Sequence, residues 1–194
     1  TDTEECMYKY ERIWTQLSEA FKDYDEQLMF ESLNEEGGWD SVWNRYSGSD
    51  SGKAEAYGLL NEINQTFVDI VRASGGNNAS RHLLIAGYAM YEMPDDPANR
   101  CAVSIHYYTP STFCILEADA DWRQAKTEWG DEDDLAELED HLNNLKETFI
   151  DNGVPVIMGE YGVAAGNKTT EQVNNFLITV TSEAYAKGIC TILW

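Results

Sequence analysis

Short apolar runs alternate with amphipathic helical stripes along the whole chain, and this alternation restricts the fold more than any other feature. The runs lie at Leu28–Leu33, His82–Tyr88, Cys101–Tyr108, Val154–Tyr161 and Ile189–Trp194. Each run is apolar on both faces, which is typical of strands in a parallel sheet covered by helices. The pattern therefore predicts an α/β fold, either an open doubly wound sheet or a (β/α)8 barrel.

Four stretches carry apolar residues at spacings of three and four, which predicts the helices that separate the strands. Their stripes run from Tyr10 to Phe21, from Leu59 to Val71, from Leu135 to Phe149 and from Val173 to Val180. Glycine-containing segments follow the last three stripes at Gly75-Gly76, Asn152-Gly153 and Lys187-Gly188. Glycine just past a helical stripe is a common end signal, so these segments mark where each helix stops.

The charge balance excludes some classes of partner. The 194 residues carry a formal net charge of −22, so the phosphates of nucleic acid or of an anionic membrane surface would be repelled. Much of the acidic excess lies within Glu117–Asp140, where a loop and a helix face are expected, and a solvated surface explains it most simply.

No apolar stretch is long enough to span a membrane. The four cysteines show no CxxC spacing, which argues against zinc, and no metal or organic cofactor is expected.

Polar and aromatic side chains follow the apolar runs. In barrel enzymes the functional groups sit at the C-terminal ends of several different strands. No glycine-rich phosphate-binding motif follows any run, which disfavours a nucleotide-binding sheet. The pattern at the run ends therefore favours a barrel whose rim carries Asn34-Glu35, Tyr88, His106-Tyr107-Tyr108, Glu160-Tyr161 and Trp194.

Two carboxylates, Glu35 and Glu160, leave separate buried runs at the same predicted edge. A single buried glutamate often pairs with an arginine or caps a loop. Two of them, each beside a polar partner, suit cleavage of a glycosidic bond, in which one carboxyl group holds a proton while the other attacks in its ionised form. His106 and Tyr108 alternate onto one strand face and are expected to line the same cleft, although a lone strand histidine is more often a core residue.

Several tryptophans and a tyrosine fall in the loops between the predicted elements. Flat aromatic rings stack on the apolar CH faces of sugars, which favours a carbohydrate ligand. Each ring could equally anchor its own loop, and Trp194 could serve only for packing. The loop aromatics are Trp39, Trp43, Tyr46, Trp122 and Trp129.

Six segments together resemble glycoside hydrolase family 5 of clan A, and the similarity runs along the whole chain. The segments are FESLNE, GGNNASRHLL, SIHYYTPSTF, TEWG, VPVIMGEYG and the terminal LW. They are similar to the branch that contains endoglucanases, xyloglucanases and mixed-linkage glucanases. The resemblance implies a (β/α)8 barrel in which the five runs are strands four to eight, and one catalytic domain over residues 1–194.

The resemblance also implies a role for each matched residue. The reaction would be a retaining double displacement, with Glu160 as the nucleophile and Glu35 as the acid/base. Asn34 would hydrogen-bond the 2-hydroxyl of the substrate, and Tyr108 would orient Glu160. Further substrate contacts are expected from His106, Trp129 and Trp194. The Tyr108 hydroxyl should lie within hydrogen-bond reach of Glu160, and the two carboxyl groups should be roughly 5–5.5 Å apart.

Two departures from the family pattern are visible. Glu36 stands where the family has proline after the acid/base, and the loop Ala89–Met93 is short for the family. A whole barrel takes about 250 residues, so the resemblance implies that the chain starts in the third helix and lacks the first three strands.

The sequence therefore predicts a secreted or cell-surface, monomeric endo-β-1,4-glucanase of the cellulase type that degrades a polysaccharide. The first alternative is another β-glycanase, such as a xyloglucanase, lichenase, mannanase or xylanase. The second alternative is a non-catalytic carbohydrate-binding barrel, although glutamate at both catalytic positions speaks against it.

Overall fold

The computed structural model describes residues 3–35, 50–86 and 92–194. Within these ranges every predicted helix and strand is present, and one short α-helix and two 3-10 helices, Gly76–Ala79 and Ile150–Asn152, were not predicted. The helices are α1 (Thr3–Phe21), α2 (Asp50–Ala73), the short α3 (Ser111–Cys114), α4 (Glu132–Thr148) and α5 (Thr170–Ala186). The strands are β1 (Phe30–Glu31), β2 (Leu83–Ala86), β3 (Cys101–Tyr107), β4 (Val156–Tyr161) and β5 (Cys190–Leu193). Within the described ranges, no helix is both long and apolar enough to cross a bilayer.

The strands form one sheet in chain order, β1-β2-β3-β4-β5. The outer pairs β1–β2 and β4–β5 are parallel. A doubly wound sheet reverses its strand order at a switch point, whereas consecutive parallel strands joined through helices follow the connectivity of a β/α barrel. The chain packs as two compact units, Thr1–Val103 and Ser104–Trp194, and the boundary falls inside β3. The prediction of one catalytic domain over residues 1–194 stays a prediction.

Strand β1 begins two residues later than the predicted run Leu28–Leu33 because a buried arginine binds backbone carbonyls of the turn before it. Arg81 is only 2% exposed. Its Nη1 donates to the carbonyl oxygens of Asp25 at 2.8 Å and Leu28 at 2.6 Å, and Nη2 donates to two more carbonyls just upstream. These carbonyls face the guanidinium group, so the chain enters the sheet only at Phe30.

The first unit packs α1 and α2 onto its strands through a cluster of aromatic rings. Trp14 of α1 lies edge-on to Phe67 of α2, with 4.4 Å between ring centroids, and 5.6 Å from the ring of Phe30 in β1. Phe67 is fully buried. Burying such rings contributes about 2–3 kcal/mol each relative to exposure, so this cluster is the main apolar support of β1.

A buried ion pair joins α2 to the segment before β3. The Arg72 guanidinium donates to both carboxylate oxygens of Asp96, with Nε–Oδ1 at 2.7 Å and Nη2–Oδ2 at 2.9 Å. The backbone N–H groups of Ala98 and Arg100 also donate to Asp96. Burial alone would raise the pKa of the Asp96 carboxyl, but these hydrogen bonds outweigh it and hold the pKa well below its usual range.

The second unit is built around Phe176 of α5, which is fully buried. Tyr107 from β3 stacks on it with 6.3 Å between ring centroids, and Phe113 from α3 lies 5.8 Å away. Trp129 meets the same ring edge-on at 5.0 Å. These four rings pack β3 and the loop that follows it against α5 and form the apolar core of this unit.

The acidic segment Glu117–Asp140 includes the start of α4. Asp131 is the N-cap, and its side chain accepts a hydrogen bond from the backbone N–H of Asp134 at 2.9 Å. Lys126 lies 2.6 Å from the buried Asp134 and 3.1 Å from Asp131. Carboxylates in a first helical turn are favoured by the helix dipole, so this part of the negative charge has a structural role.

Candidate active site

A buried polar network in the first unit holds the backbone segment just before Glu35. Ser32 is 4% exposed, and its backbone N–H donates to the Leu84 carbonyl at 2.9 Å. Its hydroxyl donates to Asn64 Oδ1 at 2.9 Å and lies 2.8 Å from Tyr10 Oη. Helices α1 and α2 therefore both fix the backbone just before the predicted catalytic pair.

Glu35 itself has an unusual backbone conformation, with φ of +46°. Few residues other than glycine adopt this left-handed region, and a non-glycine residue there costs on the order of 1–3 kcal/mol unless its surroundings hold it. Such strain occurs most often at functional sites. Asn34 and Glu35 are both solvent-exposed in the structure. Several predicted features lie outside the described residues: Glu36, Trp39, Trp43, Tyr46, Tyr88 and residues 89–91 of the loop Ala89–Met93.

In the second unit, two side chains of the β3 end converge on Glu160 of β4. The Tyr108 hydroxyl donates to Glu160 Oε2 at 2.8 Å, which confirms the expected hydrogen bond. His106 Nδ1 lies 3.4 Å from the same oxygen. The Glu160 side chain is 14% exposed, so the carboxylate is partly sheltered but reachable. Both contacts fall on Oε2, so they hold the carboxylate through one of its two oxygens.

Close packing of β3 against β4 sets the position of this cluster. A Cβ atom on Gly159 would lie 3.0 Å from the Ser104 hydroxyl and 3.8 Å from the His106 ring. The contact with Ser104 is tighter than ordinary packing, so a larger residue would force the Ser104 hydroxyl to move. The glycine before Glu160 thus lets β4 lie close to the side chains of β3.

The two tryptophans predicted to contact substrate have different surroundings. Trp194 is 81% exposed, and its backbone N–H donates to the Tyr161 carbonyl at 3.0 Å. Trp129 is only 4% exposed; its ring packs on Phe176, and its backbone N–H donates to Gln172. The free face of Trp194 suits a sugar platform, whereas the covered ring of Trp129 anchors its loop. A substrate contact through either ring stays a prediction.

The loop after β3 and the loop after β4 are joined by three hydrogen bonds, a feature that the sequence did not reveal. The bonds run from Ala164 N to Cys114 O at 2.8 Å, from Gly166 N to Glu117 Oε1 at 2.7 Å and from Lys168 Nζ to Leu116 O at 3.1 Å. A Cβ atom on Gly166 would lie 2.5 Å from the Glu117 carboxylate, so a larger residue there would displace that carboxylate. The two loops that flank Glu160 therefore form one connected surface, called the paired loops below.

Comparison with known proteins decides the family. The family model for cellulase (glycosyl hydrolase family 5) matches residues 1–194, the whole chain. The chain belongs to glycosyl hydrolase family 5. The resemblance inferred from the six sequence segments is thereby confirmed, and with it the barrel class of fold.

Curated family 5 relatives include two proteins of Ruminococcus albus. Endoglucanase A is 36% identical over 193 residues, which are 94% of this chain and 50% of that protein. Endoglucanase 1 is 37% identical over 173 residues, which are 83% of this chain and 38% of that protein. The chain thus spans half or less of the length of these relatives.

Solved family 5 structures superpose closely. A GH5-4 broad specificity endoglucanase from an uncultured bovine rumen ciliate gives a TM-score of 0.82 at 34% identity, covering 98% of this chain and 56% of that one. A lichenase from Caldicellulosiruptor sp. F32, solved with cellotetraose, gives a TM-score of 0.89 at 27% identity, covering 99% and 55%. The five-stranded sheet therefore corresponds to part of a family 5 barrel.

Sequence reasoning missed one group of supporting residues, the network of Ser32, Asn64 and Tyr10. A signal was present, because Asn64 lies on the helical face of α2 that also carries Leu60 and Phe67. A polar residue on an otherwise apolar face needs a buried partner. The identity of that partner did not follow from the sequence.

Proposed function

We propose that this chain carries both catalytic carboxylates of a retaining endo-β-1,4-glucanase that cleaves cellulose-type chains. The observation that carries the proposal is the hydrogen bond from Tyr108 to Glu160 at the end of a strand in a family 5 barrel. It holds the Glu160 carboxyl group in place through one of its oxygens. The endoglucanase names of the relatives support β-1,4-glucan as the substrate class.

In the first step, the Glu160 carboxylate attacks the anomeric carbon at the cleavage site. A carbon–oxygen bond forms to Glu160 as the bond to the leaving sugar oxygen breaks. Glu35 gives its proton to that oxygen, so the departing chain leaves as a neutral alcohol. Asn34, beside Glu35, hydrogen-bonds the 2-hydroxyl of the sugar, where the interaction strengthens in the transition state.

In the second step, the ionised Glu35 removes a proton from water. The oxygen of that water attacks the anomeric carbon as the bond from this carbon to Glu160 breaks. This step regenerates the Glu160 carboxylate, and the product keeps the configuration of the substrate. Trp194 supports the sugar from below, and His106 lines the cleft beside Tyr108. The protein's own side chains supply every group that this mechanism uses.

The setting follows from the substrate. A polysaccharide cannot enter a cell intact, so the enzyme acts outside the cell or at its surface, as a monomer. The acidic chain suits a neutral glucan as its partner and neither nucleic acid nor an anionic membrane. A different β-glycan remains the main alternative, because one relative, from Bacteroides ovatus, is a xyloglucan-specific endo-β-1,4-glucanase at 35% identity.

The test compares the natural full-length protein with its Glu160→Gln variant. The wild type should release oligosaccharides from carboxymethylcellulose, and the first product seen by NMR should have the β configuration. The variant should lose at least about a thousandfold in kcat and still bind cello-oligosaccharides. Glu183→Gln, at an exposed position on α5, is the matched control and should keep full activity.

The same preparation should be assayed on xyloglucan, lichenan, mannan and xylan to separate the β-glycanase alternatives. A Glu160→Gln variant with unchanged hydrolysis would remove Glu160 from the mechanism. A wild type that binds glucan without cleaving any of these polymers would favour the non-catalytic barrel.

A further inference from the structure

Trp122 is exposed on a well-fixed turn of the loop between α3 and α4. Its side chain is 58% exposed. Ala120 and Arg123 exchange two backbone hydrogen bonds across the turn, at 2.9 and 3.2 Å. The backbone N–H of Ala125 also donates to Asp119 Oδ1 at 2.9 Å. The indole ring is therefore held out into solvent by a turn that needs no ligand to order it.

The position of this turn connects it with Glu160. The loop begins at the end of β3, directly after Tyr108, and it is one of the paired loops. The other paired loop begins directly after β4 and Glu160. Both loops therefore rise from the carboxyl ends of strands, the side on which barrel enzymes bind their substrates.

The chemistry around the ring selects the class of occupant. Asp119 and Asp121 both precede Trp122 in the same turn, and both are exposed. Two carboxylates would repel an anionic polymer, whereas they accept hydrogen bonds from sugar hydroxyl groups. A flat indole face offers the apolar surface on which the CH face of a sugar ring stacks. Together these groups fit a neutral glucan.

We propose that Trp122 is a stacking platform for a sugar unit of the glucan chain beyond the sugars next to the cleaved bond. This rests on the proposed function and extends it, because it makes binding depend on the length of the chain. A substrate long enough to reach Trp122 gains the stacking contact, and a short one does not. The ring binds the substrate uniformly in ground and transition states, so its loss raises KM and leaves kcat unchanged.

The experiment measures kcat and KM of the full-length enzyme on cellohexaose and on a short aryl β-cellobioside. Trp122→Ala should raise KM for cellohexaose roughly three- to tenfold, with kcat within twofold and with kcat/KM for the aryl glycoside unchanged. Trp122→Phe keeps a flat ring and should recover most of the affinity. Ile115→Ala is the matched control, because Ile115 is 54% exposed in the same loop.

The outcomes separate the two proposals. A wild type that cleaves neither substrate refutes the proposed function and, with it, this inference. A wild type that cleaves both, with Trp122→Ala unchanged on cellohexaose or equally impaired on both substrates, refutes the platform alone. If Trp122→Ala lowers the melting temperature, the fluorescence of Trp122→Phe protein decides instead. In the inactive Glu160→Gln protein, binding of cellohexaose should shift the tryptophan fluorescence. The shift should be smaller in the double variant that also carries Trp122→Phe. Equal shifts in the two proteins would refute the platform.

Discussion

Replacing Tyr108 with phenylalanine removes one oxygen atom, the donor that lies 2.8 Å from Glu160 Oε2. A hydrogen bond to a charged group contributes about 1.5–3 kcal/mol. At 1.36 kcal/mol per tenfold change in rate, its loss corresponds to roughly a 12- to 160-fold fall in kcat. His106 Nδ1, at 3.4 Å, is too distant to replace it fully, so we expect a loss of about 10- to 100-fold.

The assay is steady-state hydrolysis of cellotetraose by the full-length enzyme. Tyr161→Phe is the matched control, since the Tyr161 hydroxyl lies 2.6 Å from Thr181 Oγ1 on α5 and not near Glu160. The control should lose about 1 kcal/mol of unfolding free energy and keep its activity. Tyr108→Phe should show the opposite pattern, with activity lost and stability nearly unchanged.

A double-mutant cycle with His106→Ala tests whether both side chains act through one oxygen. If they do, the two losses are not additive, because each variant already leaves Oε2 poorly held. A Tyr108→Phe enzyme with kcat within twofold of wild type would refute the argument that this hydroxyl aims the nucleophile. Equal losses in Tyr161→Phe and Tyr108→Phe would trace the effect to general destabilisation.

Three further predictions concern the fold and the reaction geometry. Asp96→Asn should cost about 3 kcal/mol of unfolding free energy in urea at pH 7, because it leaves Arg72 buried without its charge partner. The pKa of Asp96 is lowered in the folded state, so this stabilisation is complete above about pH 5 and is lost as pH falls below about 4. The difference in unfolding free energy between wild type and Asp96→Asn should therefore become smaller on acidification. Arg81→Met should cost at least about 3 kcal/mol by the same measurement, since it removes a buried guanidinium group that donates hydrogen bonds to four backbone carbonyls, and Arg81→Lys should recover only part of this. A crystal structure of the full-length enzyme should place the carboxyl groups of Glu35 and Glu160 about 5–5.5 Å apart; a separation near 9 Å would contradict retention.

The elements of this fold were predictable because their periodicity is strong. Leu138, Leu142 and Leu145 step along one face of α4, and all three are buried as the spacing predicts. The start of β1 was not predictable, because it depends on Arg81, which lies some fifty residues further along the chain. A local pattern cannot show which carbonyls a distant guanidinium group will take.

The candidate site also has features that the sequence predicted and features that it did not. Strand alternation puts His106 and Tyr108 on one face, and the family resemblance, which that local rule does not replace, predicted that Tyr108 would reach Glu160. The left-handed backbone of Glu35 and the burial of Trp129 were not predictable. The first depends on how the chain leaves β1, and the second on Phe176, which belongs to another element. Sequence patterns give the type of residue at a strand end, whereas tertiary contacts decide its conformation and exposure.

The paired loops have a consequence for protein engineering. Their three hydrogen bonds, one of which brings the Glu117 carboxylate against Gly166, mean that each loop supports the shape of the other. A chimaera that takes only one loop from a related glycanase would lose the Glu117–Gly166 contact and would present a disordered rim. Transplanting both loops together would carry the shape across intact. A change of substrate preference between related glycanases, whether engineered or evolved, should therefore require both of the paired loops to change together.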